Sequence, residues 1–298
     1  MKNVTTKRIL FWLRYYYRRA RNCFMDLLPA KLHVQVEHLL AHGRIPDLKN
    51  PKTFNDKVAW RKLYDRDFRM PPLVDKLAAK EIMAAKFGAD FVIPTLASYA
   101  SETEVDFESL PYPCVIKANH ASAMNMFLMS RPVDEKKARR TLGSFLSYHH
   151  HAFHEEWTYS QVPRCLIIEP YIEGGEHGLV DYKFFAFHGR VSAIQVDVDR
   201  FTGHRRAFYS SDWSIMPFVY GSYPQPSYTI PRPSQLRTML HYAEQIGGGF
   251  SFARIDLYEI GGEVKFGEVT FYPDAGLVTF KPRQYDEILG EQWHLRRA

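Results

Sequence analysis

Near the C-terminal end of the chain, the stretch FARIDLYEIGGEVKFGEVTF places Arg254 and Asp256 two residues apart. Beyond Gly261–Gly262 it sets Glu268 and Thr270 at the same spacing. Residues two apart on a strand share a face. Two acids on adjacent strands of one hairpin can therefore hold a hard divalent cation such as Mg²⁺, which needs only one or two carboxylates beside water and substrate phosphate. An arginine on that face would neutralise an anion held by the metal. The plainer reading is a solvated, charged hairpin face. Register decides between them. A strict two-residue Gly261–Gly262 turn sets Gly267 opposite Asp256 and turns Glu268 away, whereas a three-residue connection or a β-bulge brings all four side chains to one side. The sequence thus predicts an odd loop or a bulge.

Lys117 stands inside the apolar strand CVIKAN, ahead of a small-residue turn, His120–Ala121–Ser122–Ala123. A buried ammonium requires a partner. Phosphate oxygens would serve, with loop amides as further donors, and a structural salt bridge would serve equally. The Walker A spacing is absent. In IIEPYIEGGEHGLVDYKFF a buried strand runs into a polar segment whose main-chain groups could read a purine edge. Glu173 or Glu176 could reach a ribose there, and Asp181 and Lys183 open the next strand on one face.

The elements that must position these residues are legible in outline. Residues 30–70 read as helical, broken at Gly43–Pro46, restarted from Pro51 through TFNDKVAWRKLYD and closed by Pro71–Pro72. A helix from Asp75 to Gly88 carries Leu77, Ala78, Ile82 and Ala85 at helical spacing. FVIPTLASYA reads as strand and turn, CVIKAN as a strand, and Asp134 as the cap of a helix bearing Ala138, Leu142, Phe145 and Leu146. RCLIIEPYI is a buried strand, and YKFFAFHGRVSAIQVDV a hairpin turning at His188–Gly189. Five prolines between 217 and 233 exclude regular structure there. Ser234 then caps a helix with Leu236, Met239, Leu240, Ala243 and Ile246 on one face, ended by Gly247. Strands mixed with separate helices indicate an α+β fold.

Composition narrows the class. With 298 residues, 46% hydrophobic and 24% charged, the chain is globular rather than disordered. Cys23, Cys114 and Cys165 are scattered, which argues against a cysteine-built zinc site and for a reduced, cytoplasmic compartment. Of 39 Lys and Arg, seven lie in residues 1–22, which hold no acid, leaving 32 against 33 acids elsewhere. The basic balance belongs to a tail, and nucleic-acid binding is not expected. That tail, KRILFWLRYYYRRARN, is too short in apolar run to span a membrane. It reads either as an amphipathic helix on an anionic surface, such as the inner face of the plasma membrane, or as a helix packed on the body. His149, His150, His151 and His154 read as a solvated helix end rather than a metal site.

In order, Lys76 in VDKLAAK, Lys117, the strand IIEPYI and the R-x-D…E hairpin resemble the ATP-grasp superfamily. NPKTFNDKVAW, PCVIKANHASAMN, VDYKFFAFHGRV, DVDR and GEVTFYPDAG are similar to the TupA-like ATP-grasp family, over roughly residues 48–290. The resemblance implies an ATP-grasp fold, two α+β subdomains clasping ATP, with a helical N-terminal extension. The divisions expected are 1–45 for the basic helical segment, 46–90 for a helical lead-in, 91–162 for the small subdomain and 163–298 for the C-terminal one. It implies that Lys76 and Lys117 contact ATP phosphates and that Glu169, Pro170, Tyr171 and Ile172 line adenine by main chain. Glu176 or Asp181 would lie near the ribose, Lys183 would face the phosphates, and Asp256 and Glu268 would bind Mg²⁺. Arg254 would stabilise the transferring phosphoryl group or an acyl-phosphate. Thr270 stands where such ligases carry a metal-binding Asn, and no glycine follows Lys117. The implied activity is carboxylate–amine ligation in capsule, O-antigen or teichuronopeptide synthesis, joining a uronic-acid carboxylate to an amine such as an amino acid. The alternatives are a glycosyltransferase, with Asp197 and Asp199 holding the metal of a nucleotide-sugar, and a non-catalytic scaffold.

Overall fold

The computed structural model describes residues 28–149, 154–176, 178–200 and 202–295. The basic tail, Cys23, His150 and His151 lie outside the described residues. Helix α1, Ala30–His42, ends on a left-handed Gly43, and α2, Phe54–Tyr64, begins at Thr53, whose side chain accepts from the Asp56 amide. Pro71 and Pro72 do not close the helical segment. They open a short helix, α3 (Pro71–Val74), because the first turn of a helix has no use for the missing N–H.

Asp75 caps α4, Lys76–Phe87, as expected, but the inward face is Ala79, Lys80 and Met83. Ile82 is exposed. In an alanine-rich helix the apolar pattern is nearly uniform around the axis, so it does not choose a face. The ion pair made by Lys80 does.

Strands β1 (Ala97–Tyr99), β2 (Cys114–Ala118), β3 (Asn125–Leu128) and β4 (Leu166–Pro170) form an antiparallel sheet in the order β1-β4-β2-β3. This first sheet thus draws a strand from beyond residue 163. Helix α5 (Glu135–Leu146), capped by Asp134, buries Ala138 and Leu142 in the core under this sheet.

Strands β5 (Asp181–Phe187), β6 (Arg190–Val198) and β7 (Arg205–Tyr209) precede a short β8 (Val219–Tyr220). With β9 (Phe252–Ile260) and β10 (Glu263–Thr270) they build a second antiparallel sheet in the order β10-β9-β5-β6-β7. Helix α6, Leu236–Gly247, covers one face with Leu236, Met239, Ala243 and Ile246. Ser234 does not cap it; its hydroxyl donates to Glu259 instead. Gly247 is the last residue of the helix rather than its stop, and a Cβ there would lie 2.7 Å from that of Ala186.

The other face of this second sheet changes character along its strands. At one end it presents Phe185, Phe187, Phe208 and Phe252, covered by Phe54 of α2 and by Trp293. At the other it presents Asp181, Lys183, Gln195, Asp197, Arg206 and Asp256, paired across neighbouring strands. The aromatic end is core and the charged end is the floor of a cleft.

Register on that floor is set by a bulge. Ile260 pairs with Glu263 across a two-residue turn in which Gly261 and Gly262 are both left-handed, so the connection is even. The odd residue is Gly267, which stands out of the ladder between Phe266↔Leu257 and Glu268↔Asp256. A Cβ at Gly267 would lie 2.9 Å from the Asp256 carbonyl oxygen, which explains the glycine.

Candidate active site

A cleft of about 550 Å³ separates the two sheets. On its floor Arg254 forks onto Asp256 with Nε–Oδ1 and Nη2–Oδ2 distances both 2.8 Å. The same Nη2 donates to Thr270 Oγ1 at 3.1 Å and to Glu268 Oε1 at 3.3 Å. Lys183 Nζ lies 2.6 Å from Asp256 Oδ2 and 3.1 Å from Asp181 Oδ2. Arg254, Asp256, Glu268 and Thr270 therefore do share one face, as the bulge requires. Burial would raise the Glu268 carboxyl, but the charges of Lys76, Arg254 and Lys183 outweigh it and hold the group at about 2. Burial opposes the charge of Lys183, and Asp181 and Asp256 more than restore it.

Lys76 reaches across the cleft. Its ammonium donates to the Ala121 carbonyl at 2.6 Å, in the loop after β2, and stands 3.8 Å from Glu268 Oε2. Beside it, Glu169 on β4 is buried and accepts from both Lys117 and Lys80. Burial pushes the Glu169 carboxyl up, and the two lysines pull it below its ordinary value. Lys80 carries no motif of its own in the sequence. Its spacing of four from Lys76 was the available signal, since residues so spaced share a helix face.

The residues expected around adenine and the ribose are not all brought together. Glu169 lines the cleft, but Pro170, Tyr171, Ile172 and Glu176 do not. The Tyr171 amide is spent on the Pro113 carbonyl at 3.1 Å, and its ring packs on Phe127. Asp181 is buried on the floor, where it also accepts from Arg200.

Asp197 and Asp199, the pair a nucleotide-sugar enzyme would use, are separated in role. Asp197 lines the cleft, clasped by Arg206 at 2.6 and 3.2 Å and by Gln195 at 2.9 Å. Asp199 ends the strand in a left-handed conformation and accepts from the Tyr228 hydroxyl at 2.8 Å. His154 lines the edge of the cleft and contacts Glu37 at 2.9 Å, and His149 contacts Arg164 at 3.3 Å. Cys114 is buried, and burial pushes the Cys165 thiol up to about 11.

Among the described residues no three His, Cys, Asp or Glu side chains gather as a ready metal site. Asp256, Glu268 and the Thr270 hydroxyl are nevertheless hard oxygen donors on one face. A cation that draws most of its ligands from water and phosphate needs no more.

Lysines from α4 and β2 on one side and an Arg–Asp–Glu cluster rising from the second sheet on the other are the arrangement of an ATP-grasp protein. The chain belongs to the TupA-like ATPgrasp family, whose profile it matches over residues 56–294. No curated protein matches it. Among solved structures it is similar to D-alanine–D-alanine ligase from Bacillus anthracis, at 15% identity over 74% of this chain and 65% of that one, TM-score 0.40. The same ligase from Helicobacter pylori aligns at 16% identity over 74% and 61%, TM-score 0.36. A RimK domain ATP-grasp protein from Sphaerobacter thermophilus aligns at 11% identity over 90% and 96%, TM-score 0.42. The chain spans less than two thirds of the length of those two D-alanine–D-alanine ligases. No helix among the described residues is long and apolar enough to cross a membrane.

Proposed function

We propose that the protein is an ATP-dependent carboxylate–amine ligase acting through an acyl-phosphate. What supports the reading most is one juxtaposition: Glu268 and Asp256 face Arg254 and Lys183 on the floor, with Lys76 bridging to the opposite wall. Phosphoryl transfer asks for positioning and charge neutralisation more than for covalent help from the protein. In this reading a substrate carboxylate oxygen attacks the γ-phosphorus of ATP and ADP leaves. The amine nitrogen then attacks the acyl carbon, phosphate leaves and the amine loses a proton. Lys76 and Lys117 hold the phosphates, Arg254 and Lys183 oppose the burial that pushes the Asp256 carboxyl up and hold it in place, and Arg254 faces the oxygens that gain charge. Mg²⁺, held by Asp256 and Glu268, would supply further neutralisation of the phosphates. The carboxylate is proposed to be a uronic acid and the amine an amino acid, in the envelope polysaccharides with which the family is associated.

Incubating the full chain with ATP, Mg²⁺, a panel of uronic acids and hydroxylamine tests this. Formation of ADP and a hydroxamate from at least one acid is the expected result. Binding of a nucleotide-sugar in calorimetry, with none of ATP, would overturn it.

A further inference from the structure

The turn after β10 carries an acid that this chemistry does not use. In Pro273–Gly276 three successive residues, Asp274, Ala275 and Gly276, are left-handed, with φ of 46°, 56° and 68°. L-residues avoid that region, so neighbours must hold the turn, and they do so from behind. A Cβ on Gly276 would lie 2.8 Å from the Val58 Cβ. His42 Nε2 donates to the Gly276 carbonyl at 2.9 Å, and Asn55 Nδ2 to the Val278 carbonyl at 3.1 Å. Ala275 is buried while Asp274 is exposed, and Asp274 lines the cleft.

The acids of the floor are all occupied. Asp181, Asp197, Asp256 and Glu268 each touch a lysine or an arginine. The Asp274 carbonyl accepts from the Leu277 amide at 3.0 Å, but its carboxylate makes no hydrogen bond or ion pair with any described residue, although its charge is felt at Arg254 and Arg206. A free carboxylate on the wall of a phosphate-binding cleft repels the nucleotide and selects a cation. The ligase reaction includes one substrate that brings its own cation at neutral pH, the amine.

We propose that Asp274 is the docking carboxylate for the amine co-substrate in its ammonium form, which gives up one proton to water before the neutral nitrogen attacks the acyl carbon, the second proton leaving with the phosphate. The assignment rests on the ligase reading and extends it, since it says where the second substrate enters: from the side of the turn, four residues beyond Thr270 and facing the Arg254 end of the floor. The competing explanation is that Asp274 is there only for its backbone, because Asp and Asn tolerate the left-handed region better than other side chains. Asp274→Asn separates the two, since it keeps that tolerance and the side-chain shape and removes the charge.

The assay compares wild-type protein and Asp274→Asn with ATP, Mg²⁺ and the uronic-acid panel. Hydroxylamine serves as an uncharged nucleophile and the common amino acids as ammonium-bearing ones. In the wild type, an amino acid is expected to compete with hydroxylamine and lower the hydroxamate yield. In Asp274→Asn the hydroxamate yield and the KM for ATP should stay within twofold of wild type, while the KM for that amino acid rises at least tenfold. An unchanged amine KM, or a hydroxamate yield that falls in parallel with amide formation, would overturn the assignment and leave the ligase reading standing. Failure of every amino acid to compete in the wild type would overturn it as well. No hydroxamate from the wild type at all would refute the ligase reading, and the docking role with it.

Discussion

Replacing Lys117 and Lys80 one at a time should separate a lysine that serves the nucleotide from one that serves the fold. Both ammonium groups meet on Glu169, but the Lys117 side chain is 27% exposed and the Lys80 side chain 7%. In Lys117→Met, Glu169 keeps its buried partner, and the pair removed is partly open to water. The cost to stability is then about 1 kcal/mol or less, a fall in Tm of roughly 2–4 °C. If Lys117 faces the ATP phosphates, the lost charge-assisted hydrogen bond is worth about 1.5–3 kcal/mol, which weakens ATP binding roughly 10- to 150-fold. Lys80→Met removes the inner cation and leaves a buried carboxylate to a partner that is partly open to solvent. Its cost approaches ~3 kcal/mol, the lower range for breaking a buried pair. Thermal denaturation and titration calorimetry with ATP, run on both variants, give the two readouts. A Lys117→Met protein that loses as much stability as Lys80→Met while binding ATP normally would show that Lys117 is structural, and would remove it from the nucleotide site.

Two further outcomes follow from the cleft wall and the floor. Burial holds the His42 imidazole at about 4, below its ordinary 6.5, against the Gly276 carbonyl that favours its N–H. Because the folded value is depressed, the neutral ring's contribution is complete above pH 6.5 and is lost as pH falls from 6.5 through 4. The difference between wild-type and His42→Ala unfolding free energies should therefore shrink by roughly 2–3 kcal/mol between pH 7 and pH 4; a difference independent of pH would show that His42 does not hold the turn as a neutral donor. Gly267→Val drives a side chain into the Asp256 carbonyl, 2.9 Å from the Cβ position, so Mg²⁺-dependent ATP turnover should fall more than tenfold with near-ultraviolet dichroism retained, and turnover within twofold of wild type would show that the bulge does not set the carboxylate pair.

What the sequence makes legible here is whatever depends on spacing along one element. The parity of Arg254, Asp256, Glu268 and Thr270 demands an odd residue, and the structure supplies it at Gly267 rather than in the turn. A glycine inside an otherwise regular strand was the local sign of that bulge. Contacts that converge from different elements left no such sign. Glu169 matters through a side chain that gathers lysines from α4 and β2, whereas the sequence reading gave it only a main-chain role. The inward face of α4 was unreadable because alanines surround it. Pro170, Tyr171, Ile172 and Glu176 do not line the cleft, and the Tyr171 amide continues the β4–β2 ladder onto Pro113. The left-handed turn at Asp274 exists only because α1 and α2 hold it from behind.

That last dependence extends to the floor itself. The Arg–Asp–Glu–Thr arrangement works only if β9 and β10 stay in register at their open end, far from the Gly261–Gly262 turn. One side chain from the helical lead-in joins those ends. Arg61 of α2 is wholly buried, donates to the Phe252 carbonyl at 2.8 Å and to the Phe271 carbonyl at 3.3 Å, and lies 4.3 Å above the Trp293 ring. Phe252 is two residues before Arg254, and Phe271 is one residue after Thr270. A guanidinium so placed loses its water, and burial lowers its pKa, but hydrogen bonds to two strands, to Ser251 and to Asp65 replace the lost hydration. Nη1 serves both carbonyls while Nη2 and Nε hold Ser251 and Asp65, a spread of donors that the single nitrogen of a lysine could not match. The lead-in helices are therefore part of the site's construction: α2 fixes the open end of the carboxylate hairpin through Arg61, and through Val58 and Asn55 it fixes the turn that sets Asp274 on the cleft wall.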